Sequence, residues 1–183
     1  MLDQNTVDNL SVVTRELTYK EVTDYENFLI RFYHSYLSCN YASELLNIAL
    51  KKLPEDAPVD LLAEMAGEYQ VVSELAENAS YTWMELFLNM QEGVQPPDAS
   101  RLWMYEEAKQ DMATSIGEIW LLISETFSTE VHDQILEELD FNLSTQNPEV
   151  EEQYDLVLTG QYPTMPENVR QVIASLKVRA ESN

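Results

Sequence analysis

Between Asp60 and Gly93 the chain repeats one pattern: Leu62, Met65, Tyr69, Val72, Ala76, Ala79, Trp83, Leu86 and Met90 follow one another at steps of three or four residues. Side chains spaced this way share one face of an α-helix, whereas a half-buried strand would alternate at every second residue. Held over such a length, the pattern admits one element, an amphipathic helix of about 31 residues and roughly 47 Å. A helix with one long apolar stripe has to bury it against partners of similar length, so the expectation is an all-α fold.

The rest of the chain agrees. Val22, Tyr25, Leu29, Phe32, Tyr36, Cys39, Ser43, Leu46, Leu50 and Leu53 form a second stripe behind a capping box of Thr18 and Glu21. A break near Ser38-Cys39-Asn40 would interrupt it, and a short helix is expected before it, around 5–16. The two prolines of "LPEDAPVD" end that element and offer Asp60 as an N-cap for the next. After Gly93 and "VQPPD", Asp98 can cap a third helix whose inner side carries Leu102, Tyr105, Met112, Ile116, Ile119 and Ile123. Trp103, Ala113, Trp120 and Phe127 widen that side, and Lys109 falls on it as a snorkelling stem.

The spacing thus predicts an antiparallel bundle of three long helices, about 19–52, 60–91 and 99–127, with shorter helices after it. These begin at a Ser128 cap, at Asn147-Pro148 with Gly160 as the stop, and near Pro166. Residues 1–127 are expected to form the bundle core, with 128–183 packed on it as acidic helices of the same domain. The 3.5-residue period also suits a coiled coil between two chains, so a homodimer stays open. Tyr, Ala, Ser and Trp on the stripes favour a mixed intramolecular core over a regular seam.

Charge is the second constraint. The 183 residues carry a formal net charge of −23, from 33 acidic and 10 basic residues. All the excess lies between Leu53 and Val169, which hold 25 acidic residues against Arg101 and Lys109 alone. The flanking segments 1–52 and 170–183 are balanced, which argues against a uniformly acidic, salt-adapted composition. The densest stretch, "EVHDQILEELDFNLSTQNPEVEEQYD" at 130–155, contains no lysine or arginine.

Catalytic motifs are missing. A di-iron bundle needs paired E-x-x-H motifs, but Arg31 and Thr129 stand three residues before the two histidines, His34 and His132. Cys39 lies on an apolar stripe and off the face of His34, as a buried inert thiol would. Gly67, Gly93, Gly117 and Gly160 are too dispersed to cradle a phosphate, and the two mid-helical ones, Gly67 and Gly117, are expected to permit close helix packing. Carboxylate pairs one turn apart, Glu64/Glu68 and Glu151/Asp155, arise by chance in so acidic a chain. The reading is therefore a non-enzymatic protein, with no catalytic residue, no metal ligand and no cofactor.

A single cysteine, the absence of a basic-apolar start and a longest apolar run of only "IWLLI" point to a cytoplasmic protein that does not enter a membrane. Dense like charge destabilises a compact state, and leaving it uncompensated is what attraction to a basic partner requires. The expected partner is a basic, nucleic-acid-binding protein whose surface this chain would occupy as a DNA-mimic inhibitor, without itself binding nucleic acid. Antirestriction and anti-CRISPR proteins of phages and mobile elements act this way, and the chain shares their charge and class but no motif. The expected contact surface is Glu130, Asp133, Glu137, Glu138, Asp140, Glu149, Glu151, Glu152 and Asp155. The alternative is a helical adaptor or assembly chaperone holding its partner in an apolar groove, with Met65, Met84, Met90, Met104 and Met112 as lining.

Overall fold

A computed structural model describes residues 14–146 and 151–182, and they form an all-α fold. Six helices follow in order among the described residues: α1 (Tyr19–Lys52), α2 (Val59–Glu92), α3 (Trp103–Thr126), α4 (Thr129–Gln146), α5 (Glu151–Leu158) and α6 (Glu167–Glu181). A 3₁₀ turn, Ala99–Arg101, precedes α3.

The helix boundaries follow from local chemistry. Thr18 caps α1 by accepting from the Glu21 amide at 3.2 Å, and its hydroxyl donates to Glu21 Oε1 at 3.1 Å. Lys51 and Lys52 complement the opposite end of the dipole, before Leu53 turns the chain into Pro54. The expected break at 38–40 does not occur, because Ser38 and Cys39 are buried within a continuous helix. Residues 14–18 are not helical either, so the expected early helix does not extend over 14–16, and 5–13 lie outside the described residues.

Asp60 is not the cap of α2. The helix begins one residue earlier, at Val59 behind Pro58, and Asp60 sits in the first turn where its charge favours the dipole. Asp98 accepts from the Ser100 amide at 3.0 Å and so caps the 3₁₀ turn, which delays α3 to Trp103. Ser128 does cap α4, through Val131 N at 3.4 Å.

Gly93 ends α2 in the left-handed region (φ 77°), with its amide on Met90 O at 3.3 Å and that of Val94 on Asn89 O at 2.9 Å. The same residue admits the N-terminal segment. Arg15 N donates to Gly93 O at 3.0 Å, and a Cβ on Gly93 would lie 2.1 Å from Arg15 O. Tyr25 Oη completes the junction on Val94 O at 2.6 Å.

α1 and α2 form an antiparallel hairpin. Ser43 meets Ser73 at 2.9 Å between hydroxyls, Tyr33 lies 6.0 Å from Trp83 between rings, and Tyr25 reaches Val94. The three long helices do not share one seam, however: α3 packs on α1 and hardly touches α2. The true axis of the molecule is α1, which every other α-helix contacts. From the C-terminal end of α1 backward, Lys52 and Glu44 meet α4, Asn40 and Tyr41 meet α5, Arg31 and His34 meet Tyr162, and Glu26 meets α6. The C-terminal third thus runs back along α1, and one buried cluster joins all six helices.

That central position explains why α1 is buried well beyond its predicted stripe. Phe28, Tyr33, Leu37, Tyr41, Ala42, Leu45, Ile48 and Ala49 are buried as well. Between Asn27 and Leu50 the only charged residues are Arg31 and Glu44, the composition of a helix enclosed on several sides. Gly67 and Gly117 do not serve close packing, since a Cβ built at either meets nothing within 4 Å.

Candidate interaction surface

The positive side chains are largely spent inside the molecule. Arg15 pairs with Glu21 at 2.7 Å, Lys20 with Asp24 at 2.9 Å and Lys177 with Glu26 at 3.1 Å. Arg31 and Lys109 converge on Glu106 at 2.6 and 3.2 Å, and Lys52 holds Glu138 at 3.1 Å. Each exposed pair is worth about 1 kcal/mol or less. Their effect on charge is larger, because within 53–169 Glu106 and Glu138 are the only described acids that form an ion pair with lysine or arginine.

Glu106 is the centre of a compact knot. It accepts from Arg31 and from the Tyr162 hydroxyl, while Lys109 Nζ lies 4.0 Å from the Tyr162 ring centroid and the Arg31 guanidinium 5.1 Å from it. The Tyr162 hydrogen bond, with Lys109 and Arg31 nearby, holds the Glu106 carboxyl below its usual range despite partial desolvation. Lys109 therefore does more than snorkel from an apolar stripe: its ammonium is seated on an aromatic face and on a carboxylate. The knot ties the loop before α6 to α1 and α3.

The remaining acids of α3 and α4 stand in lines. On α4, Glu130, Asp133, Glu137 and Asp140 are all exposed, and at 3.6 residues per turn they fall within an arc of about 80°. Ile135, Leu139 and Leu143 are buried on another side of the same helix. On α3, Glu107, Asp111, Glu118 and Glu125 are exposed within about 40° of arc. Only Phe127 and Ser128 separate the two helices. α2 adds seven acidic residues and no basic one.

Along α4 the four carboxylates occupy roughly 15 Å, one per about 4–5 Å of axis. One strand of duplex DNA carries one phosphate per about 3.4 Å. Two carboxylates 6 Å apart repel by about 0.7 kcal/mol in water before salt screening, so the stripe stores a modest energy that an apposed cation would relieve.

The residues expected to form the contact surface divide accordingly. Glu130, Asp133, Glu137 and Asp140 make the α4 stripe, and Glu152 and Asp155 are exposed on α5. Glu138 leaves the set, because it points away from the stripe and is neutralised by Lys52. Glu149 lies outside the described residues, as does the side chain of Glu151. The α3 line was missed at the sequence level, although its steps of four, seven and seven are helical and could have revealed it.

Two of the cavities beside α1 bear on function. One of about 250 Å³ lies between α1, α2 and α3 and is bordered by Phe32, Leu75, Ala79 and Met112, with His34 and Cys39 also on its edge. Burial pushes the Cys39 thiol up to about 11 and, with Lys109 nearby, pulls the His34 imidazole down to about 4. Both are neutral near pH 7, which opposes a thiolate nucleophile. The other cavity, about 350 Å³, is bordered by Tyr33, Tyr36, Trp83 and Tyr154. Of the methionines expected to line a groove, Met65 and Met90 are core residues, Met112 borders the smaller cavity, Met84 borders the 350 Å³ one while largely exposed, and Met104 is exposed.

Among the described residues no group of three or more His, Cys, Asp or Glu could hold a metal ion, and no helix is long and apolar enough to cross a membrane. In comparisons with protein-family models, curated proteins and solved structures, nothing matches this chain.

Proposed function

We propose that the protein is a non-enzymatic interaction protein that offers unpaired carboxylates to the basic surface of a nucleic-acid-binding partner, excluding nucleic acid from it. The observation that supports this most is the arrangement on α3 and α4: eight exposed acids on two consecutive helices, four in line along each and unpaired with any lysine or arginine. Such a surface attracts cationic partners over distance and repels anionic ones. Its axial charge density on α4 approaches that of a single DNA strand, so a protein that tracks phosphates would find a comparable series of acceptors.

The test is capture from nuclease-treated lysate with immobilised protein, followed by elution with duplex DNA. The proposal expects nucleic-acid-binding proteins that duplex DNA releases, and their loss when Glu130, Asp133, Glu137 and Asp140 become Gln or Asn. Captured proteins that ignore both DNA and the substitutions would refute it.

A second reading, a helical adaptor, draws on the cavity between α2 and α3 and on apolar residues that α2 leaves in the open, among them Tyr81 at 64 % and Leu88 at 54 % exposure. A client seated there would hold on in high salt, whereas a charge-held partner would not.

A further inference from the structure

The 350 Å³ cavity has a lining that the acidic surface does not explain. Tyr33 and Tyr36 of α1, Trp83 of α2 and Tyr154 of α5 border one open space of about 350 Å³, within the size range of small-ligand sites. Three of its four rings, those of Tyr33, Trp83 and Tyr154, are held in place. Trp83 stacks on Phe87 at 5.6 Å with 21° between planes and lies 6.0 Å from Tyr33, while Asn40 Nδ2 donates to Tyr154 Oη at 2.9 Å. These three helices and the end of α4, through Leu143 and Gln146, meet there and leave it open.

Electrostatics narrow what could enter. No lysine or arginine borders the cavity among the described residues, and the chain carries a net charge of −23, so an anion is disfavoured. No described carboxylate borders it either, so a metal ion or a strongly hydrated bare ammonium would lose its water without recompense. Aromatic faces carry the negative end of a quadrupole and favour a cation that brings its own apolar surface.

We propose that this cavity binds an alkylated ammonium ion, either a free quaternary ammonium compound or the methylated end of a lysine side chain. The proposal does not depend on the function proposed above, since it concerns a different face and a different ligand.

Calorimetric titration of the full chain tests it with four probes: choline, its uncharged isostere 3,3-dimethylbutan-1-ol, and a short peptide with trimethyl-lysine or unmodified lysine. Saturable binding of choline or of the trimethylated peptide is expected, at least tenfold tighter than the isostere or the unmodified peptide respectively (about 1.4 kcal/mol). A trimethylated peptide tenfold tighter than choline assigns the site to a side chain, and the reverse order assigns it to a free ammonium. Trp83→Leu and Tyr36→Leu should each weaken binding at least tenfold while circular dichroism stays helical. Neutralising Glu130, Asp133, Glu137 and Asp140 should leave affinity unchanged within about twofold. An isostere that binds as well as choline, affinity unmoved by both ring substitutions, or no saturation of either cation up to about 10 mM would overturn the proposal.

Discussion

Lowering the pH from 8 to 5 puts His34 of the unfolded chain into its charged form while the folded chain keeps it neutral. The side chain is 2 % exposed, its Nδ1 lies 3.4 Å from Ser38 Oγ, and its Nε2 has no hydrogen-bond partner. Burial is the main reason its pKa falls from 6.5 to about 4, Lys109 adds to the shift, and Glu106 opposes it. The folded value is the lower one, so the unfolded state binds the extra proton between them. His34 thus contributes stability that is full above pH 6.5 and is lost as pH falls toward 4. From pH 8 to pH 5 that loss comes to about 2 kcal/mol. Urea unfolding at the two pH values, for the wild type and for His34→Gln, isolates it from the carboxylates both share. The advantage of the wild type over the variant should shrink by about 2 kcal/mol at pH 5. Parallel pH dependence in the two proteins would refute the buried, neutral imidazole.

Other positions give independent tests. Gly93→Ala should cost more than the 1–2 kcal/mol typical of a left-handed alanine, because the new Cβ would also meet Arg15 O at 2.1 Å; a urea midpoint close to wild type would contradict the junction. Gly67→Ala and Gly117→Ala should each stabilise by up to about 1 kcal/mol, since open space surrounds both and alanine is the better helix former; a lower melting temperature in either would show an unseen contact. The Cys39 thiol, buried and pushed up to about 11, should resist a thiol reagent at pH 8 until urea unfolds the chain, and rapid labelling of the native protein would contradict its burial.

Helical class, both ends of α1 and the end of α2 could be read from residues whose effects are local. Thr18, Lys51, Lys52 and Gly93 act within a turn of themselves, and the stripe from Met65 to Met90 is buried largely as its spacing requires. What sequence could not reveal is which helix is shared. A stripe identifies one buried face, but α1 is buried on several, and the clue was the scarcity of charge between Asn27 and Leu50. Lys109 and Glu138 show the same limit for the surface: whether each is free depends on Tyr162 and on Lys52 respectively, which lie far away in sequence. The aromatic cavity was equally hidden, because Tyr33, Trp83 and Tyr154 come from three helices and each looks like an ordinary core residue on its own.

The central claim is that aligned, unpaired carboxylates on α3 and α4 carry recognition. Its most direct test is the dissociation constant of the captured partner between about 50 and 500 mM NaCl, for the wild type and for the variant neutralised at Glu130, Asp133, Glu137 and Asp140. Wild-type affinity should fall steeply with salt, and the variant should bind at least tenfold more weakly at low salt with a shallower slope. Equal affinities and a flat salt response in both proteins would contradict the claim.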